Sequence, residues 1–289
     1  MQRNRLTAIG LGLVLAAAPL FSQQEQIAFK LTGGLVLVQG DDYNKGIAGA
    51  NRILTDIPTL SGGYKELRTG RGLTLEIINY WGPHFGVGIG GGFYETSNES
   101  GISGQLQGAD GPYAYASQYF PKVSAIPFFL NLHYRTRLTT RLGLDVFAGP
   151  VFQIIQFGFR RQETAAEDVL SEVETFKASA NDLGAQAGID LNVHITRGLS
   201  LVAGGSFRAA KISNFQGNWL LSTTTSSGTV TNTSSAYYFW LYDFVGNGIT
   251  PHFGFFDANG PIGTAISGAR KGELNLTGFQ ASIGISLGF

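Results

Sequence analysis

The sequence predicts an all-β chain, an eight-stranded antiparallel up-and-down transmembrane β-barrel with long loops on one side, preceded by a signal peptide. Three observations predict it. Apolar residues alternate with small or polar ones over eight segments, the period of two that marks strands. Charged residues are only 14% of the 289-residue chain while aromatics reach 12%, against a charge content of ~25% in soluble domains. Short and long connections also alternate, as in a barrel with turns on one side of a membrane and loops on the other.

The elements follow in order. Met1-Gln2-Arg3-Asn4-Arg5 is basic, Leu6 to Phe21 is apolar, and Ala16, Ala17, Ala18 and Ser22 are small. This is the layout of a signal peptide over 1–22, leaving 23–289 for the barrel. Pro19 interrupts the apolar run, which falls short of the ~20 residues of a membrane helix. Strand patterns then cover 26–38 (Ile27, Phe29, Leu31, Leu35), 71–81 (Leu73, Leu75, Ile77), 84–94 (Phe85, Val87, Ile89, Phe93) and 122–136 (Ile126, Phe128, Leu130, Leu132). Four more cover 142–156 (Leu144, Val146, Phe152, Ile154), 183–196 (Leu183, Ile189, Leu191), 199–211 (Leu199, Leu201, Phe207) and 277–289 (Phe279, Ile283, Ile285, Leu287, Phe289).

None of these apolar faces carries a charge, whereas the opposite faces carry Lys30, Glu76, His133, Arg135, Asp145, Asp190, His194 and Arg208. Apolar-out and polar-in is the arrangement of a membrane barrel. Short turns at Gly82-Pro83, Leu138 to Arg141 and Thr196 to Gly198 place both termini at one end. Tyr80, Trp81, Phe85, Tyr134 and Phe289 are expected to form an aromatic girdle there, with Phe93, Tyr94, Phe120, Phe152 and Phe279 at the other. The chain has no cysteine and a net charge of zero. That balance offers no disulfide framework and no electrostatic case for nucleic acid. No cofactor or metal is expected, since three of the four histidines lack plausible co-ligand spacing.

The terminal run Phe279-Gln280-Ala281-Ser282-Ile283-Gly284-Ile285-Ser286-Leu287-Gly288-Phe289 resembles the C-terminal insertion signal of bacterial outer-membrane barrels. The whole mature chain is similar to small barrels of the OmpA-transmembrane, OmpX and OmpW type. It departs from the full OmpA pattern in that no peptidoglycan-binding domain is expected after the barrel. The resemblance implies residence in the bacterial outer membrane, contact with its lipid and lipopolysaccharide, and delivery to the barrel-assembly machinery through the strand ending at Phe289. The long loops then face the cell exterior.

Three groups of residues could carry function. The inward charges Lys30, Glu76, His133, Arg135, Asp145, Asp190 and Arg208 are expected to form a paired polar network closing the lumen, because unpaired buried ions are costly. On the assumed register His133 lies opposite Asp145. The alternative makes that pair the acid and base of a lipid hydrolase, but no inward serine falls beside His133, so the chain is not expected to be an enzyme. Pro127 and Pro150 fall inside strand patterns, and Gly86, Gly88, Gly90 and Gly92 face inward beside them. A lateral opening to a small apolar pocket competes there with simple bulging, and bulging is favoured. The loop aromatics Tyr113, Tyr115, Tyr237, Tyr238, Trp240 and Tyr242 are candidates for recognising an extracellular protein or a small hydrophobic ligand. Packing as a cap over the barrel mouth is the equal alternative. A turn at Ser226-Ser227-Gly228 suggests a hairpin over 213–244, and Ala165 to Phe176 suggests a short helix. The leading functional expectation is a structural, adhesion or surface-recognition role. Passive passage of small hydrophobic solutes is the alternative.

Overall fold

The computed structural model describes residues 26–108, 111–165, 170–196, 198–245, 248–256 and 266–289. The expected signal peptide lies outside the described residues. In chain order the elements begin with β1 (Gln26–Leu37), α1 (Asp41–Thr55), β2 (Leu60–Gly63), β3 (Thr69–Trp81), β4 (Phe85–Ser97) and β5 (Ser100–Gln107). The long strands β6 (Pro112–Arg137), β7 (Leu142–Ala165) and β8 (Leu170–His194) follow, then β9 (Leu199–Ala209) and β10 (Lys211–Ile212). The chain continues through β11 (Gln216–Thr225), β12 (Gly228–Val245), β13 (Gly248–Phe256), β14 (Ile266–Lys271), β15 (Leu274–Asn275) and β16 (Gly278–Gly288).

Period-two alternation produces a closed ring. Each strand of the series β1, β3, β4, β6, β7, β8, β9 and β16 pairs antiparallel with the next, and β16 pairs back onto β1. The eight expected strands are therefore the eight of the ring. Closure leaves no unpaired backbone edge to face lipid. Outside, Leu35, Leu132, Leu183 and Ile283 are exposed by about seven tenths (68%, 68%, 71% and 74%), which only an apolar solvent accommodates as a continuous band.

The ring has two unlike ends. At one, tight turns join β3 to β4, β6 to β7 and β8 to β9. At the other, β6, β7 and β8 run on well past the apolar band. Strand β5 pairs with β6, and β11 pairs with β8 and β12. The hairpin expected over 213–244 thus forms, turning at Ser226 and Ser227, but it widens this extension rather than the ring. The helix expected over Ala165 to Phe176 does not form. Those residues that are described continue β7 and β8, paired from Leu142 through Ala165, because Phe157, Phe159, Phe176 and Ala178 alternate inward with polar residues outward.

Helix α1, absent from the expectations, fills the mouth of the extension. Gly40 precedes it with φ 70°, and a Cβ there would collide with the Asn44 amide, so a larger residue is excluded. Asn44 in turn accepts from the Leu67 backbone N–H (2.9 Å) and donates to the Leu67 and Gln39 carbonyls. Tyr43 and Ile47, one turn apart, enter a core of Val123, Ile155, Phe157, Phe176, Phe215 and Tyr238. The Tyr43 ring meets Phe157 edge-on at 5.8 Å. Two glycines and few apolar positions hide this helix in the sequence. Its burial supplies what its propensity does not.

Candidate functional site

At the level of the lipid-facing band, the lumen holds the expected charges. Lys30 and Glu76 are direct cross-strand partners on β1 and β3. The Lys30 Nζ sits 2.5 Å from Glu76 Oε2 and reaches across the lumen to Asp190 Oδ2 on β8 at 3.1 Å. His133 lies between two carboxylates, with Nε2 2.9 Å from Glu76 Oε1 and Nδ1 3.0 Å from Asp145 Oδ2. Carboxylates only accept, so both ring nitrogens are satisfied when both donate. Tyr80 donates to Asp145 Oδ2 (2.9 Å), Asn131 to Glu76 Oε1 (2.7 Å) and Gln186 to Asn131 Oδ1 (3.1 Å). Every ion named here is buried and paired, which low-dielectric burial demands.

Glycines make room for this network. A Cβ on Gly88 would collide with Glu76 Oε1 and lie 2.7 Å from His133 Nε2, and one on Gly204 would overlap Asp190 Oδ1. The inward glycines of β4 therefore do not leave an apolar pocket. Tyr80, Glu76, His133, Phe129 and Thr74 occupy the space over Gly86, Gly88, Gly90 and Gly92. Above the network lies a cavity of about 30 Å³ lined by Lys30, Glu76, Asp190, Gln186, Arg208 and Gln280 among others. At ~10–15 Å³ for each water it has room for about two. Arg208 stacks on the Tyr94 ring at 4.7 Å, and the Tyr94 hydroxyl donates to Gln153. Above these residues the aromatic core around α1 begins.

The expected register needs correction. Asp145 pairs with Arg135, not His133, and His133 reaches it diagonally. Arg135 lies over the Tyr80 ring at 3.7 Å. The two prolines do not share a seam. Pro127 faces Gln153 on β7 and interrupts the ladder to β4, where Gly92 and Phe93 are skipped. Pro150 interrupts the ladder to β6, where Leu130 and Asn131 are skipped. Pro127 points inward and Pro150 outward, and pairing resumes in the same register beyond each. Each ring removes a donor from one seam only, so no common opening arises. Tyr80 and Tyr94, expected in the girdles, point inward, whereas Trp81, Phe85, Tyr134, Phe93, Phe152, Phe279 and Phe289 are outward as expected.

The loop aromatics separate. Tyr238 is buried in the upper core and Tyr237 is half-buried beside it. Tyr113 and Tyr115 are half-buried on β6, and Tyr115 donates to Glu163 Oε1 (2.9 Å). The backbones of Trp240 and Tyr242 lie in β12, and their side chains fall outside the described residues. On the inner face of the extension Arg161 contacts Glu174 at 2.8 Å, and Trp219 Nε1 donates to the same carboxylate at 2.7 Å. Burial works against the Arg161 charge, but Glu174 and Glu163 hold its pKa above the ordinary value. Burial, with Glu163 close by, pushes the Glu172 carboxyl up.

Sequence reasoning missed the neutral members Tyr80, Asn131, Gln186 and Gln153. Each sits on an inward position of its strand, so the alternation that found the ions places them too.

No family model matches the chain, and no curated protein matches it. Among solved structures, the chain is similar to a major outer membrane protein from Thermus thermophilus, with 14% identity, TM-score 0.41, 92% of this chain and 100% of that one. It is also similar to the outer membrane protein OprG from Pseudomonas aeruginosa, with 10% identity, TM-score 0.38, and 92% and 97% covered. A third is the outer membrane protease OmpT from Escherichia coli, with 9% identity, TM-score 0.32, and 93% and 98% covered.

Proposed function

We propose that this chain is an outer-membrane barrel of a bacterium with a structural or surface-recognition role, carried by the wall that rises above the lipid. The observation that supports this reading is a lumen packed at two levels. The ionic network of Lys30, Glu76, His133, Asp145 and Asp190 fills one, and α1 with its aromatic core fills the other. A barrel of eight strands is just wide enough for side chains to fill it. The short-turn end then lies in the periplasm and the extension outside the cell. Strand β16 is the segment proposed to engage the barrel-assembly machinery. The reading is non-enzymatic: His133 is 2% exposed and spends both ring nitrogens on carboxylates, which holds structure rather than a substrate.

Passive passage of small hydrophobic solutes is the competing reading, and the same measurement separates the two. The mature protein in a planar bilayer is expected to give no sustained conductance, and its liposomes no swelling in isotonic solute. Discrete, reproducible channel openings would overturn the structural reading.

A further inference from the structure

Arg208 stands apart from the other ions of the lumen. On β9 it is the register partner of Gln186 on β8 and of Gly278 on β16, and it is only 8% exposed. Its guanidinium lies over the Tyr94 ring at 4.7 Å, beside a hydroxyl that gives its proton to Gln153. Its Nε has no hydrogen-bond partner, and neither has Nε2 of the buried Gln153. No carboxylate forms an ion pair with Arg208 among the described residues. That includes the half-buried Asp182, four positions along β8 from Gln186.

The charges inside the ring show what Arg208 lacks. Glu76, Asp145 and Asp190 are its three buried carboxylates. Lys30 bonds Glu76 and Asp190, the doubly donating His133 lies between Glu76 and Asp145, and the half-buried Arg135 stands opposite Asp145. Those three cations answer the three acids, and Arg208 is a fourth. A guanidinium keeps its proton in any protein environment, and a buried charge without a counter-charge is strongly destabilising.

The cavity of about 30 Å³ that Arg208 lines is rich in unspent donors. Gln280, 9% exposed, makes no side-chain hydrogen bond among the described residues. Lys30 has three protons and spends two on Glu76 and Asp190, while Gln186 spends one of two on Asn131. Ser206 and Ser282 add hydroxyls. Glu76 and Asp190 border the same space, but Lys30 stands between them. At ~10–15 Å³ for each water the space suits a monatomic ion, not the five heavy atoms of phosphate or sulfate.

We propose that the lumen binds one halide ion, chloride in ordinary saline, as the counter-ion of Arg208. Gln280 and the spare protons of Lys30 and Gln186 complete its donor shell. The rival occupant is water alone, joining Arg208 to Asp190 Oδ1, the carboxylate oxygen that Lys30 does not use. Because Arg208 and Gln280 are nearly sealed from solvent, the halide is enclosed as the barrel closes and survives desalting.

The test refolds the mature chain in detergent with bromide as the halide, desalts it into gluconate, and counts bromine by X-ray fluorescence. The wild type is expected to retain one bromide per chain and Arg208→Gln none. Lys211→Gln, which removes an exposed cation already held by Glu273, is expected to retain it. Crystals grown in bromide should show an anomalous peak in hydrogen-bonding contact with the Arg208 guanidinium. Wild type refolded in gluconate throughout should unfold at lower urea than wild type refolded in bromide, a shift that Arg208→Gln loses. Bromide-free wild type, water alone beside Arg208, or equal bromine in Arg208→Gln would overturn the proposal. The bromine count and the anomalous map of the wild type decide it even if Arg208→Gln does not fold.

Discussion

Strand β7 crosses two environments and reverses its chemistry between them. Below its midpoint Phe152 and Ile154 face outward, 42% and 37% exposed, while Asp145 and Gln153 face the lumen. Beyond it Ile155 and Phe157 face inward, 0% and 1% exposed, while Gln156, Arg160 and Gln162 face outward. Pairing with β8 continues without a register shift. The adjacent Ile154 and Ile155 mark the change. Strands β6 and β8 do the same, with Ile126 and Leu183 outward below, and Val123 and Phe176 inward above. One backbone geometry thus serves two solvents. In lipid the apolar side faces out and ions must pair within. In water the apolar side turns in and packs as the core of a soluble protein does.

Three substitution sets would break or sharpen this comparison. The largest effects are expected inside. Lys30→Met strands Glu76 and Asp190 without their shared cation and should cost about 3–5 kcal/mol, and Phe157→Ala should cost a similar ~3–5 kcal/mol. Urea unfolding in liposomes reads both, and limited proteolysis should find the Phe157 variant cut first in the extension. If Phe157→Ala unfolded like a surface change, the upper core would not be a water-excluding one. A smaller contrast belongs to the outside. Ile283→Arg in the apolar band should destabilise by about 2–4 kcal/mol, whereas Gln162→Arg on the upper wall should stay within about 0.5 kcal/mol. Equal costs would mean that both rows meet the same solvent.

The smallest effect concerns the mouth. Burial opposes the charge on Asp41, but the hydrogen bond and charge of Lys45, 3.1 Å away, hold its carboxyl below the usual range. A lowered folded pKa stabilises above the ordinary carboxylate value, and that contribution fades as pH falls through the lowered value. Asp41→Asn should therefore be slightly less stable than wild type at neutral pH and indistinguishable from it in strong acid. A difference that grew with acidity would reverse the assignment.

Much of the ring was legible because alternation is local. A residue's side of a strand follows from its parity, so Lys30, Glu76, Asp145, Asp190 and Arg208 could be placed inward from sequence, and they are buried there. Parity also contained Tyr80 and Tyr94, but an aromatic near a strand end reads equally as a girdle. Only the partner across the lumen, Asp145 or Gln153, shows otherwise. The prolines were visible and their seams were not, because a strand has two edges and sequence does not say which one loses a donor.

By itself the sequence determined the eight strands, the apolar exterior and the inward ions, since each depends on neighbours two residues apart. Tertiary structure alone decided that Arg135 rather than His133 stands opposite Asp145, that Leu170 to Phe176 continue strand β8 rather than a helix, and that α1 folds back into the mouth. Those outcomes depend on register and on surfaces contributed by distant strands. The physical reason is that burial is a property of the assembled wall, whereas alternation is a property of the chain.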